Sequence, residues 1–198
     1  MISLLLLLLI MYSLFCFWRR QQKLLEKIDT KEIIEIIKNN KKIIFGIIGF
    51  GLLLPWVTMI IVGLILNPKE LTDMGPKYFF DFDTIKTSLF GFIPFGILAL
   101  MTIVCFNKST KQLIPSWTLH KAGVIGVWIE TIGLSLFLIL MHWISDFSGE
   151  YGGGFAAGFT FIVGPIFIVI LMPLFYSFGW TAGKLMITIK EYKNKLKQ

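Results

Sequence analysis

The chain has 198 residues, 56% of them hydrophobic and only 16% charged, with a mean hydropathy of +0.77. Water-soluble domains average about 45–50% apolar and about 25% charged residues, so this balance excludes an ordinary soluble module. The net charge of +7 and pI near 9.4 give no reason to expect nucleic acid as a partner, because the basic residues are distributed as a membrane protein distributes them.

Thirty of the 31 charged residues fall in five polar segments, and Glu130 is the exception. Between those segments run five apolar stretches, about 2–18, 43–66, 88–106, 122–144 and 155–183. Each is about long enough to cross a hydrocarbon core of roughly 30 Å as a helix. Long apolar runs without period-2 alternation rule out a β-barrel. The expected fold is therefore all-α: a polytopic helical bundle of five transmembrane helices plus one amphipathic helix at the inner interface, forming a single membrane domain over 1–198.

The first stretch carries no basic residue ahead of its apolar region, and Arg19 and Arg20 follow it. A cleaved signal peptide has the opposite order, so a retained anchor with its N-terminus outside is expected. The inner segment 19–42 holds eight Lys or Arg. There Leu24, Leu25 and Ile28, and then Ile33, Ile34, Ile36 and Ile37, recur at helical spacing, with Asp29 as a cap and Glu32 three residues on. Lysines flanking such faces suit a helix lying among anionic lipid headgroups at the inner face, or docking on a partner.

The second stretch contains Gly46, Gly49, Gly51 and Pro55. Proline has no N–H, so it leaves the Gly51 carbonyl without its helical donor. The outer loop 67–87 sets three lysines against Glu70, Asp73, Asp81 and Asp83, whereas the inner loop 107–121 has three basic residues and no acid. The outer loop 145–154 has only Asp146 and Glu150, and the inner tail 184–198 has five lysines. Sixteen of the 19 basic residues thus lie on one side of the expected threading. The positive-inside rule then places the C-terminus in the cytoplasm. Trp18, Trp117 and Trp180 are expected at the inner boundary, and Tyr78, Trp143 and Tyr151 at the outer one. Abundant Ile, with Arg19 and Arg20 as the only arginines, fits the coding bias of an AT-rich bacterial genome and a cell membrane location.

Glycines mark where helices approach. The fourth stretch offers Gly123, Gly126 and Gly133, and the last offers Gly154 with Gly158 and Gly179 with Gly183. Glu130 shares a helical face with Gly123, Gly126, Val127, Gly133, Leu134 and Phe137. A lone carboxylate at this depth is costly, so it is expected to be protonated. Depth matching nominates Tyr176, Ser177 and the Gly51 carbonyl to receive its proton. The group either fixes helix register or serves as a proton or cation site.

Chemistry is otherwise sparse. His120 and His142 lie about 33 Å apart along one helix and cannot share a metal or haem. No HExxH, CxxC, GxSxG or phosphate-loop motif occurs. His142, Asp146 and Glu150 offer at most a weak outer metal site, and Cys16 and Cys105 read as packing residues. No catalytic residue, cofactor or metal is assigned. The expected function is a non-enzymatic multi-pass membrane protein making lateral helix contacts with another membrane component, such as another membrane protein, in an accessory, assembly or immunity-type role. The alternative is a small channel or transporter subunit using Glu130.

Overall fold

The computed structural model describes residues 2–25, 30–69, 71–73, 91–106, 116–147 and 153–195. Regular structure among them is entirely helical: α1 (Ile2–Leu25), α2 (Thr30–Asn39), α3 (Lys41–Leu66), α4 (Phe92–Phe106), α5 (Trp117–Phe147) and α6 (Gly153–Lys195). Three segments are long and apolar enough to cross a membrane, namely Lys41–Leu66, Trp117–Ile144 and Val163–Lys195. The 15 residues of α4 are equally apolar but shorter, about 22 Å at 1.5 Å per residue. Residues 88–90, the expected start of that span, lie outside the described residues.

Local chemistry sets several helix ends. α2 has Glu32 in its first turn and Lys38 in its last, the arrangement that complements the helix dipole. Asn40 closes it, both its backbone N–H (3.1 Å) and its Nδ2 (2.8 Å) donating to the Ile36 carbonyl. Of the expected apolar face of α2, Ile36 is buried and Ile34 is exposed. The expected cap, Asp29, lies outside the described residues. α5 begins after Ser116, whose φ of +58° is a left-handed conformation uncommon for a residue with a Cβ. The Ser116 carbonyl accepts from the N–H groups of Leu119 (2.8 Å) and His120 (3.2 Å), starting the helical ladder.

The chain forms two compact units. The first comprises Met1–Lys41, Leu100–Glu130 and Leu171–Gln198, and the second Lys42–Ala99 and Thr131–Ile170. In the first unit, α5 and α6 run antiparallel across a seam of small residues. A Cβ on Gly126 would strike the Phe175 carbonyl oxygen and come 3.2 Å from Gly179 Cα. One on Gly179 would strike the Ala122 carbonyl, and one on Gly183 would come 2.7 Å from Ala122 Cβ. Backbones this close need residues without side chains, as expected where lipid supplies no hydrophobic drive.

In the second unit, α3 meets α4 through Gly51, where a Cβ would lie 2.5 Å from Phe95 Cγ. A Cβ on Gly91 would run into the Gly51 carbonyl oxygen. The α-hydrogen of Gly91 points the same way, so the carbonyl that Pro55 deprives of an N–H receives a weak Cα–H···O contact. The Pro55 carbonyl is itself well supplied, with Thr58 Oγ1 at 2.9 Å and Trp143 Nε1 at 3.1 Å.

One expectation changes and three are refined. Arg19–Leu25 does not begin a separate interface helix but continues α1, while α2 is the amphipathic element. The tail is helical to Lys195, because Lys184–Lys195 contains neither Gly nor Pro to stop α6. Trp143, expected near the outer boundary, is buried at 2% exposure, with its indole N–H donating to the Pro55 carbonyl. Gly133, expected at a helix contact, is exposed, and nothing among the described residues lies within 4 Å of where a Cβ would stand. Gly154 and Gly158 fall in α6, but their surroundings, like Tyr78 and Tyr151, lie outside the described residues.

Candidate functional site

Two buried polar residues of the first unit, His120 and Glu130, lie on the buried face of α5. His120, Gly123, Val124, Val127 and Glu130 are buried there, while Ile125 and Ile129 face outward. Glu130 is 2% exposed, so its carboxyl turns inward as the glycine-lined face suggested. Trp128, on the flank of that face, donates from Nε1 to Thr102 Oγ1 of α4 at 2.9 Å.

One turn of α5 below Gly123 lies the densest cluster. The Tyr176 ring passes over Gly123, where a Cβ would come 2.6 Å from Cε2. Its hydroxyl pairs with His120 Nδ1. With the hydroxyl donating, a neutral imidazole carries its own proton on Nε2. Both partners are well buried, Tyr176 at 0% and His120 at 5% exposure. Phe17 of α1 packs edge-on against Tyr176 at 5.2 Å, and Trp180 packs edge-on against His120 at 4.8 Å. Over Trp180 lies the Arg20 guanidinium, 4.6 Å from the ring centroid, within reach of a cation–π attraction. Lys121 Nζ similarly lies 4.0 Å from the Trp117 ring and 4.7 Å from that of Phe106.

The nominated residues separate accordingly. Tyr176 is brought together with His120, a pairing not expected from the sequence. Ser177 Oγ is buried without a hydrogen-bond partner among the described residues. Gly51 belongs to the second unit, where its carbonyl meets Gly91. Gly123, Gly126, Gly179 and Gly183 form the seam that holds the cluster. Cys105 is buried and Cys16 is partly so, and both are free thiols. His142 stacks beside Trp143 at 4.6 Å, while the side chains of Asp146 and Glu150 lie outside the described residues.

This arrangement can do limited chemistry. A Tyr–His pair can pass or hold a proton, yet here an aromatic shell surrounds it and a cation lies over one of the rings. It resembles a packed boundary layer more than a reaction centre. No protein-family model matches the chain, and no curated protein or solved structure shows significant similarity to it.

Proposed function

We propose that this chain is a small non-enzymatic multi-pass protein of a cell membrane, with its N-terminus outside and C-terminus in the cytoplasm. It acts by lateral helix contacts with another membrane component, in an accessory, assembly or immunity-type role. The observation carrying this reading is a set of glycines on the second unit with nothing to pack against among the described residues. Gly46, Gly49 and Gly133 have nothing within 4 Å of where a Cβ would stand, and Gly46 and Gly133 are exposed. Glycine weakens a helix by about 1 kcal/mol relative to alanine. In lipid that cost is offset where a second backbone uses the gap.

A photo-cross-linking side chain at Phe137, exposed at 57% and one turn from Gly133, tests this in native membranes. We expect one discrete protein adduct, lost in Gly133→Leu while membrane insertion stays normal. Lipid adducts alone, or an adduct indifferent to Gly133→Leu, would remove the support for lateral contact.

The second reading, a channel or transporter subunit, is favoured by the depth of Glu130 at 2% exposure. Purified protein in proteoliposomes separates the two. We expect no proton or cation flux above that of empty vesicles, and Glu130→Gln to keep native yield and insertion. Flux that depends on the protein and vanishes in Glu130→Gln would replace the first reading with the second.

A further inference from the structure

One face of α1 holds a groove of about 500 Å³ lined by Tyr12, Phe15, Cys16, Arg19, Arg20 and Lys23. Ligand sites usually span about 300–1,000 Å³. The six residues form two adjacent i, i+4 rows, Tyr12–Cys16–Arg20 and Phe15–Arg19–Lys23. The groove is apolar at its Tyr12 end and cationic at its Lys23 end, with no acid among its lining residues. Tyr12 and Lys23 are eleven helical steps apart, about 16 Å, close to half of a hydrocarbon core of about 30 Å.

Arg20 supplies a second, independent observation. Its guanidinium is held over Trp180, and Nη1 is shielded from solvent with no acceptor among the described residues. A desolvated cationic donor without an acceptor is costly, and a charged acceptor restores the lost interaction. Two exposed cations, Arg19 and Lys23, flank it on the same face.

We propose that this groove binds one anionic phospholipid, its phosphate on Arg19, Arg20 and Lys23 and an acyl chain along Phe15 and Tyr12. The cations alone would suit any phosphate. The apolar row continuous with them selects a lipid, since a soluble anion would leave Phe15 and Tyr12, exposed at 60% and 68%, without a ligand group to cover them. In the orientation proposed above, the cationic end faces the inner leaflet, where anionic lipids attract juxtamembrane Lys and Arg.

Native mass spectrometry of the full chain in neutral detergent tests this, with phosphatidylglycerol and phosphatidylcholine of matched chains as probes. We expect one phosphatidylglycerol retained per chain, in at least tenfold preference to phosphatidylcholine. Arg19→Gln with Lys23→Gln should lower that retention roughly tenfold or more, from about fivefold per cation. Both positions are exposed, so circular dichroism should show unchanged helix content. The control, Lys190→Gln with Lys193→Gln, removes the same charge from the exposed end of α6 and should change nothing. Equal retention of the two lipids, or an equal loss in the control, would overturn the proposal. So would full displacement by millimolar inorganic phosphate, which would assign the site to a soluble anion.

Discussion

Tyr176→Phe removes one oxygen and keeps the ring that Gly123 accommodates. His120 Nδ1 then loses its partner while remaining buried at 5% exposure. Leaving a buried acceptor unsatisfied costs about 1–3 kcal/mol, so we expect a lowered thermal midpoint in detergent. Adding His120→Phe to Tyr176→Phe should recover part of the loss, because the orphaned nitrogen is gone. An unchanged midpoint in Tyr176→Phe would mean that the pair contributes no net stability. Glu130 was legible in the sequence because a single acid within an apolar run has no competing explanation. The Tyr176–His120 pair was not. His120 stands two residues before the stretch 122–144, so it reads as a boundary residue, and a count of depth along helix axes ignores the reach of a tyrosine ring. The glycines held the missing signal, since a residue without a Cβ at 123 makes room for a ring from α6.

The contact between α5 and α6 is decided by which small residues face one another. Gly179 and Gly183 were legible as a GxxxG pair, but their counterpart is Ala122 with Gly126, a small-xxx-small pair that a search for glycine alone misses. Gly133 was expected on the same face and is not there. The buried residues of the second unit's part of α5 are Thr131, Ser135, Ile139 and Trp143, spaced by four. At about 100° per residue, Thr131 and Ser135 each stand about 160° around the axis from Gly133, so the buried stripe starts on the opposite side of the helix from it. The two glycines should therefore respond in opposite ways to the same added methyl group. Gly126→Ala drives a Cβ into the Phe175 backbone, where no side chain can move aside, and overpacking of this kind costs about 1–3 kcal/mol. Gly133→Ala meets open space and should leave stability unchanged or raise it by up to about 1 kcal/mol through helix propensity. Thermal unfolding of the two variants in one detergent checks this, and equal destabilisation would contradict the seam.

Composition and charge partition made the all-helical architecture legible, because backbone groups in lipid leave few alternatives. The division of the helices into two units was not legible, since it depends on which helix segments pack together rather than on hydropathy. Three segments are long and apolar enough to cross, so the expected five crossings turn on α1 and α4. The 15 residues of α4 cover about 22 Å, short of a core of roughly 30 Å, and it spans only if the apolar residues from 88 onward join it. The proposed threading needs α4 to span. The loop 67–87 carries four acids against three lysines while 107–121 carries three basic residues and no acid, and the positive-inside rule puts such loops on opposite faces. Single cysteines replacing Asp83 and Ser109, in a chain with Cys16→Ala and Cys105→Ala, report the two faces through a membrane-impermeant maleimide. We expect Asp83→Cys to label in intact cells and Ser109→Cys only after permeabilisation. Tags fused before Met1 and after Gln198 should likewise be outside and inside if the proposed five crossings separate the termini. Labelling of both cysteines from one face would make α4 a segment that enters without crossing. With α1 crossing, the remaining helices would then bring both termini to the same side; cysteines that report opposite faces with both tags on one side would instead make α1 the segment that does not cross.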